Sequence, residues 1–297
     1  MSHVALIVNP LATAVDEHRI AVVEQVLARG AQVETHLTQR RGHATELARL
    51  VAEYADAIFV YSGDGGFNEV VNGLEPDAPP VGCIPGGGTS VFPRALGIPR
   101  DPPHAAEQLA AAFERGQTRT ISVGRVNGRR FLFNGGIRFD AELVRRIEAK
   151  RSRAGRPGDA AFVAMLLKLI AEHRGRFDPV LEIGGLGRAA IVFVANADPY
   201  TFLGRVPLHV APQATLEGGL DVIAPTQVHL RTIPRLLRYV VTGRGQLKDP
   251  TILSAHDVDR IEVRCDRPLP LQVDGEDLGD VTEAVFEAER GALHVLA

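Results

Sequence analysis

Residues 57–73 read Ala-Ile-Phe-Val-Tyr-Ser-Gly-Asp-Gly-Gly-Phe-Asn-Glu-Val-Val-Asn-Gly. The first five form an apolar run of strand length, and the small polar cluster Ser62–Gly66 follows with no spacer. Such a run, stopping at glycine before a helical pattern, predicts a buried strand that feeds a helix. Gly63, Gly65 and Gly66 leave bare backbone, so N–H groups can approach a phosphate without meeting a Cβ. The helix expected from about Phe67 adds roughly half a positive charge at its start. Asp64 stands inside this positive nest and would repel a phosphate unless a cation or a reacting hydroxyl came between them. That combination points to magnesium or to proton transfer. The plainer alternative is a strand-to-helix turn with Asp64 as the N-cap.

The same rhythm extends on both sides. Upstream, Val4–Val8 reads as a strand closed by Asn9-Pro10, Asp16–Arg29 as a helix stopped by Gly30, Gln32–Leu37 as a second strand and His43–Tyr54 as a second helix. Downstream, Val81–Ile84 is a fourth strand. Strands alternating with helices predict a parallel sheet covered by helices. After about residue 120 the pattern changes. Ile121–Phe133 holds Asn127-Gly128 between two strand-like runs, a hairpin signal of the type I′ kind. Short strands follow at Val180–Ile183, Ala189–Ala195, Asp221–Ile223, Arg260–Arg264 and Leu269–Val273, with helices at about Ala141–Ala149, Ala160–His173 and Leu230–Val241. This half predicts an antiparallel sandwich. Glu289-Arg290-Gly291 separates two last strand-like runs, Ala284–Ala288 and Ala292–Leu296, and reads as a final hairpin. The basic stretch from Arg145 to Arg156 reads as a solvated helix end and loop.

A second glycine loop, Pro85-Gly-Gly-Gly-Thr-Ser-Val-Phe-Pro-Arg94, again follows an apolar strand directly. It is neither a Walker loop, lacking Gly-Lys-Ser/Thr, nor the Gly-x-Gly-x-x-Gly dinucleotide fingerprint. Asn9-Pro10 with Thr13 ends the first strand, and Thr38-Gln-Arg-Arg-Gly-His-Ala44 follows the second. Polar turn chemistry thus stands at the ends of all four predicted strands, the edge where open α/β sheets bind ligands. Near the C-terminus, Gln272-Val-Asp-Gly-Glu276 places two carboxylates around a glycine. Such a pair can deprotonate a hydroxyl or bind a metal, although Asp-Gly is also an ordinary hairpin turn.

Composition narrows the classes. The chain has 297 residues, 45% of them apolar, which suits one large domain or two medium ones. Its formal net charge is −3 and its basic residues are scattered, so no nucleic-acid partner is expected. Two cysteines, Cys83 and Cys265, make no disulfide framework, and a reducing, cytoplasmic setting is the expectation. No signal peptide is visible. The longest apolar segment, Ala160–Ile170, already contains Lys168 and falls short of the roughly 20 residues of a membrane span. Any membrane contact is expected to be peripheral.

Taken in order, these pieces resemble the diacylglycerol kinase catalytic-domain family, which also includes sphingosine, ceramide and bacterial lipid kinases. Asn9-Pro10, then Thr38 with Gly42 and Ala44, then Ser62–Val70 and Pro85–Gly97 follow the family's N-terminal motifs. Phe133-Asn-Gly-Gly-Ile-Arg-Phe-Asp-Ala141, Gly219-Leu-Asp-Val222 and Asp274-Gly-Glu276 resemble its later ones. The resemblance spans nearly the whole chain, and the two glycine loops are its specific part. It implies an NAD-kinase/diacylglycerol-kinase-like two-domain architecture. Residues 1–122, with a returning segment from about 284 to 297, would be the α/β nucleotide-binding domain with a parallel sheet. Residues 123–283 would be the antiparallel β-sandwich that takes the lipid, with the ATP phosphates in a cleft between the two.

The resemblance further implies ATP and Mg2+, a lipid substrate met at a membrane surface, most simply diacylglycerol, and an oligomeric state left open, a homodimer included. Asn9, Pro10, Thr38, Ser62, Gly63, Asp64, Gly65, Gly66, Asn68, Glu69, Gly87, Gly88 and Thr89 would hold the nucleotide. Glu276 would be the proton acceptor, with Asp274 beside it and Asp64 near the phosphates and the metal. The chain also departs from the family. Ser62 replaces a glycine, Gly66 a threonine, Ser90 an asparagine and Pro93 an alanine. Ser62 and Gly66 keep the loop small, while the lost Thr and Asn side chains remove hydrogen bonds worth about 0.5–1.5 kcal/mol each. Gly218 stands where an acid often helps to hold a structural magnesium, which leaves the adjacent Glu217 as the candidate metal ligand. Two other readings stay open: an NAD kinase, whose Gly-Gly-Asp-Gly loop is similar, and a nucleotide-binding module without catalysis.

Overall fold

The structure, a computed structural model, describes residues 2–150 and 159–297. The chain forms two compact units: the residues up to Ser122 together with Arg290–Ala297, and Val123–Glu289.

In the first unit the strands are β1 (Ser2–Val8), β2 (Ala31–Leu37), β3 (Ala57–Ser62) and β4 (Val81–Pro85). The helices are α1 (Glu17–Leu27), α2 (His43–Ala52), α3 (Asp64–Val71), α4 (Val91–Ala95) and α5 (Pro102–Glu114). The strands pair in parallel in the order β2-β1-β3-β4. Their residues are almost wholly buried in β1, β3 and β4, which is why they read as unbroken apolar runs rather than alternating ones. The order turns back between β1 and β3, so the loops after those strands diverge there and leave the crevice in which such sheets bind ligands. Helix α1 packs against α5, and α2 against α3. The chain's last residues return beside β4, with Val295 opposite Val81 in parallel register.

The second unit contains β5 (Thr118–Val126, which begins in the first), β6 (Arg129–Phe131), β7 (Asn134–Ile137), α6 (Phe139–Ala149), α7 (Asp159–Glu172), β8 (Leu181–Ile183), β9 (Gly187–Ala189), β10 (Val192–Ala195), β11 (Thr201–Leu203), β12 (Val206–Leu208), β13 (Leu220–Pro225), α8 (Ile233–Thr242), β14 (Ile252–Val258), β15 (Arg260–Val273) and β16 (Glu276–Leu296, whose end lies in the first unit). Antiparallel pairing runs β14-β13-β10-β7-β15-β16. Strand β15 pairs with β8 through Val263–Cys265 and with β7 through Leu271–Val273, and its register against β16 shifts between Arg264 and Leu269. Pro268 cannot donate to a ladder, and it falls within that break in register. Phe131 and Phe286 meet edge to face inside it, 6.2 Å apart, among Val194, Val222 and Leu271.

Several expectations meet a different outcome. The final hairpin is absent: β16 runs straight through Glu289–Gly291, because Gly291 at φ +64° kinks the strand without reversing it. The two strands expected at Arg260–Arg264 and Leu269–Val273 are one. The segment Ala189–Ala195 is two strands, not one. In the basic stretch, expected as a solvated helix end and loop, Arg145 lies in α6 and holds Asp277 (2.6 Å) and Asp280 (2.7 Å), and residues 151–156 lie outside the described residues. No helix among the described residues is long and apolar enough to cross a membrane.

Candidate active site

In the first unit, three loops meet at the C-terminal ends of the parallel strands. The loop after β3 is not a loose cradle. Helix α3 starts at Asp64, three residues before Phe67, with Gly63 as its N-cap, so Gly65 and Gly66 form its first turn. The Gly66 and Phe67 amides both donate to the Gly63 carbonyl (2.9 and 3.3 Å), which closes the turn, and the positive end of the helix dipole faces outward from there. The loop after β4 lies directly upon it. Gly86 donates to the Ser62 carbonyl (2.7 Å), and a Cβ on Gly87 would come within 2.9 Å of the Gly63 Cα. Only glycine at position 87 lets the two backbones touch. The loop after β1 closes the group: Ala14 donates to the Gly86 carbonyl (2.8 Å), and the Tyr61 hydroxyl donates to the Ala14 carbonyl (2.6 Å). Burial pushes that Tyr61 phenol up to about 12, so it stays a neutral donor. Thr13 lies near Gly88, and the Gly88 carbonyl accepts from Arg100 (3.3 Å).

Asp64 does something the sequence did not reveal. It caps a helix, but not its own: its two carboxylate oxygens accept the Val91 and Phe92 amides, each at 3.0 Å, at the start of α4. It therefore locks the second glycine loop to the first. Ser90, just before, is held at φ +48° and donates to the Gly87 carbonyl (3.0 Å). Pro93 falls in the first turn of α4, where a missing N–H costs nothing.

The remaining nucleotide candidates separate into two sets. Asn9 and Pro10 start the loop after β1, where the Asn9 side chain accepts the Leu11 amide (3.0 Å). Gly88 and Thr89 lie at the open side of the second loop, and Thr38 at the end of β2, its amide on the Val8 carbonyl. Asn68 and Glu69 are engaged within and between helices. Asn68 is buried and accepts from the Asn72 side chain (3.1 Å), while Glu69 accepts the Ala44 amide (3.3 Å) and its carbonyl takes the Thr45 hydroxyl (2.7 Å). Helix α2 starts on Gly42, which has no side chain to cap it, and Glu69 supplies the missing acceptor.

In the second unit, Asp274 and Gly275 form the two-residue turn between β15 and β16, both at positive φ. The Asp274 carboxylate accepts three backbone amides, Leu132 (2.7 Å), Phe133 (3.0 Å) and Asn134 (3.1 Å). A carboxylate so engaged holds the turn against the Leu132–Asn134 backbone. Glu276, one turn residue further on, is held by Arg129 (2.9 Å) and keeps part of its side chain in solvent. Behind the turn lies a buried polar network that sequence reasoning did not single out. Gln272 donates to Asn134 (3.0 Å) and Asp140 (2.8 Å), and Tyr200 donates to Asp140 (2.5 Å). Burial pushes the Asp140 carboxyl up despite the hydrogen bonds from Tyr200 and Gln272, and its Oδ1 has no hydrogen-bond partner. The signal was present, since Asn134 and Asp140 both lie in the Phe133–Ala141 segment.

Glu217, the other metal candidate, is exposed. Beside it, Asp257 accepts the Gly219 amide (2.6 Å), and Asp221 pairs with His256 (2.8 Å) and the Asp257 amide (3.0 Å). Among the described residues no group of three or more His, Cys, Asp or Glu side chains is arranged to hold a metal. The donor set fits a magnesium brought in on phosphates, the usual habit of that ion, and not an all-protein cage. The helix stripe Phe162, Met165, Leu166 and Leu169 packs mainly as core against Leu143 and Ile147 of α6.

The sequence pattern of the family described as diacylglycerol kinase catalytic domain matches residues 3–126. That described as YegS C-terminal NAD kinase beta sandwich-like domain matches residues 137–297. A protein of Bacillus subtilis (strain 168) named diacylglycerol kinase is 29% identical over 283 residues, 93% of this chain and 90% of the relative. One of Staphylococcus aureus (strain JH9) with the same name is 35% identical over 106 residues, 35% of this chain and 32% of the relative. A solved structure titled as a diacylglycerol kinase from Bacillus anthracis str. Sterne superposes with a TM-score of 0.74, covering 99% of this chain and 96% of that one at 23% identity, and shares the fold.

Proposed function

The chain belongs to the diacylglycerol kinase family, carrying its catalytic domain followed by the YegS-type sandwich, and we propose that it is a lipid kinase that transfers the γ-phosphoryl group of ATP to the free hydroxyl of diacylglycerol. The observation that supports this most is the joined pair of glycine loops. A helix N-terminus and a bare glycine backbone, held together by Asp64, present amide donors at one strand edge, as a polyphosphate requires. Positioning and charge neutralisation carry most of the rate in phosphoryl transfer. Magnesium bound to the triphosphate supplies part of that neutralisation.

The chain's own residues then divide the work. The loops after β1, β3 and β4 bind and orient the phosphates, with Thr13, Gly88 and Thr89 on the open side. The lipid hydroxyl oxygen forms the new bond to the γ-phosphorus as the bond to the β,γ-bridging oxygen breaks. The hydroxyl proton passes to Glu276, which Arg129 orients, while Asp274 fixes the turn that carries it.

The test is transfer of labelled γ-phosphate to a panel of lipids in mixed micelles, with NAD as an added acceptor, for the wild type beside Glu276→Gln and Asp64→Asn. Label is expected in diacylglycerol. Glu276→Gln should lower kcat by about 10²–10⁴-fold, the usual worth of a general base. Asp64→Asn keeps a cap for α4 but loses the negative charge and should lower turnover with the fold intact. Label on NAD and none on any lipid would overturn the proposal.

A further inference from the structure

We propose that helix α8 and its flanks are a docking surface for an anionic phospholipid bilayer, seating the rim of an apolar cavity at the lipid surface. Residues 226–248 contain Arg231, Arg235, Arg238, Arg244 and Lys248 and no Asp or Glu, in a chain whose formal net charge is −3. Arg235 is spent on the buried Asp249 (3.1 Å), but Arg231, Arg238, Arg244 and Lys248 are exposed. Between them stand large aliphatic side chains that a soluble surface would not group: Leu230 is 63% exposed, Leu237 48% and Val241 53%. Arg231, Pro234, Leu237, Arg238 and Val241 recur at helical spacing, so α8 shows solvent one stripe of mixed aliphatic and cationic character. Leu167 of α7 is exposed as well.

The opposite face of α8 is committed elsewhere. Ile233, Leu236, Tyr239 and Val240 line an apolar cavity of about 140 Å³, together with Leu166 and Ile170 of α7. Leu237 belongs both to the cavity wall and to the exposed stripe, so the two are continuous. The surface of this open cavity is almost wholly carbon, with His209 and Gln246 also in its wall, and it suits hydrocarbon. A nucleic acid would use the arginines but leave the leucine and valine without a role. An anionic bilayer uses both: arginines at the headgroup level, aliphatic side chains at the acyl boundary. The proposal deepens the lipid-kinase reading by assigning how the enzyme meets its substrate, and its test is read without ATP so that the two can fail separately.

The test is co-sedimentation with vesicles of phosphatidylcholine alone and of equal parts phosphatidylcholine and phosphatidylglycerol, at low salt. The wild type should sediment with the mixed vesicles and not with phosphatidylcholine alone, and added salt should release it. The triple variant Arg231→Gln/Arg238→Gln/Arg244→Gln should lose about fivefold in partitioning per arginine, about 100-fold in all. The unfolding midpoint and near-ultraviolet circular dichroism of that variant should match those of the wild type, which shows that it folds. Leu237→Ser/Val241→Ser should weaken vesicle binding without altering its salt dependence. Failure of the wild type to sediment, equal binding to neutral vesicles, or wild-type binding by the triple variant would each overturn the proposal.

Discussion

A Cβ placed on Gly66 would fall inside the Ser62 hydroxyl, so the two departures from the family's glycine loop are one departure. Serine can stand at 62 only because 66 is glycine, and the Ser62 Oγ is left buried with no hydrogen-bond partner, next to the space a threonine at 66 would occupy. Gly66→Thr alone should therefore destabilise the chain and weaken ATP binding. Ser62→Gly/Gly66→Thr should recover both, with a coupling of about 1–3 kcal/mol in a double-mutant cycle of thermal unfolding. Additive effects of the two substitutions would refute the shared space. At this scale the sequence identified the right positions but not their partners. Asp64, Glu69 and Asp274 each stand out as acids among glycines or turns. Which amides they accept depends on loops 25 to 142 residues away in sequence, and spacing carries no record of that.

Between elements, the clearest long-range clamp joins α6 to the β15–β16 hairpin. Arg145 grips Asp277 and Asp280, and burial, which alone would raise Asp277, is outweighed by Arg145, so its carboxyl titrates below its ordinary range. A carboxyl with a depressed folded value stabilises the protein above its unfolded pKa of about 4 and loses that contribution as pH falls through the folded value. Both side chains are partly exposed, so the gain is expected to stay near 1 kcal/mol. The difference in Tm between wild type and Asp277→Asn should thus be constant near neutrality, begin to shrink near about pH 4 and vanish once the pH is below the folded value. A difference unchanged in acid would show that the clamp does not titrate. Buried Asp221, its carboxyl pushed up by burial, acts in the opposite sense, which is why the difference and not the bare Tm is informative. Elements of uniform pattern were legible: β1, β3, β4 and the Asn127-Gly128 hairpin follow from apolar runs and a turn dipeptide. Boundaries set by glycine were not. Gly65 and Gly66 read as loop yet form a helical turn, and Gly291 reads as a reversal yet only kinks a strand, because glycine permits each without requiring either.

The molecule begins and ends in the same unit, with the whole of Val123–Glu289 inserted between. Residues Arg290–Ala297 are therefore part of the first unit's core and not a tail. Leu293, Val295 and Leu296 are each at most 4% exposed, and Val295 extends the parallel sheet beside Val81. Burying such side chains contributes about 1.5–3 kcal/mol each, so their loss would remove a sum comparable to the 5–15 kcal/mol that holds a typical protein folded. The strand also covers β4, which would otherwise be a sheet edge. A chain ending at Glu289 keeps every residue assigned above to phosphate binding and proton transfer, yet it should lose ATP binding. Limited proteolysis should cut it rapidly before Ser122 while Val123–Glu289 resists. Equal protection of both parts would mean that the returning strand is dispensable. Rapid loss of both would mean that the sandwich depends on the α/β unit for its own stability.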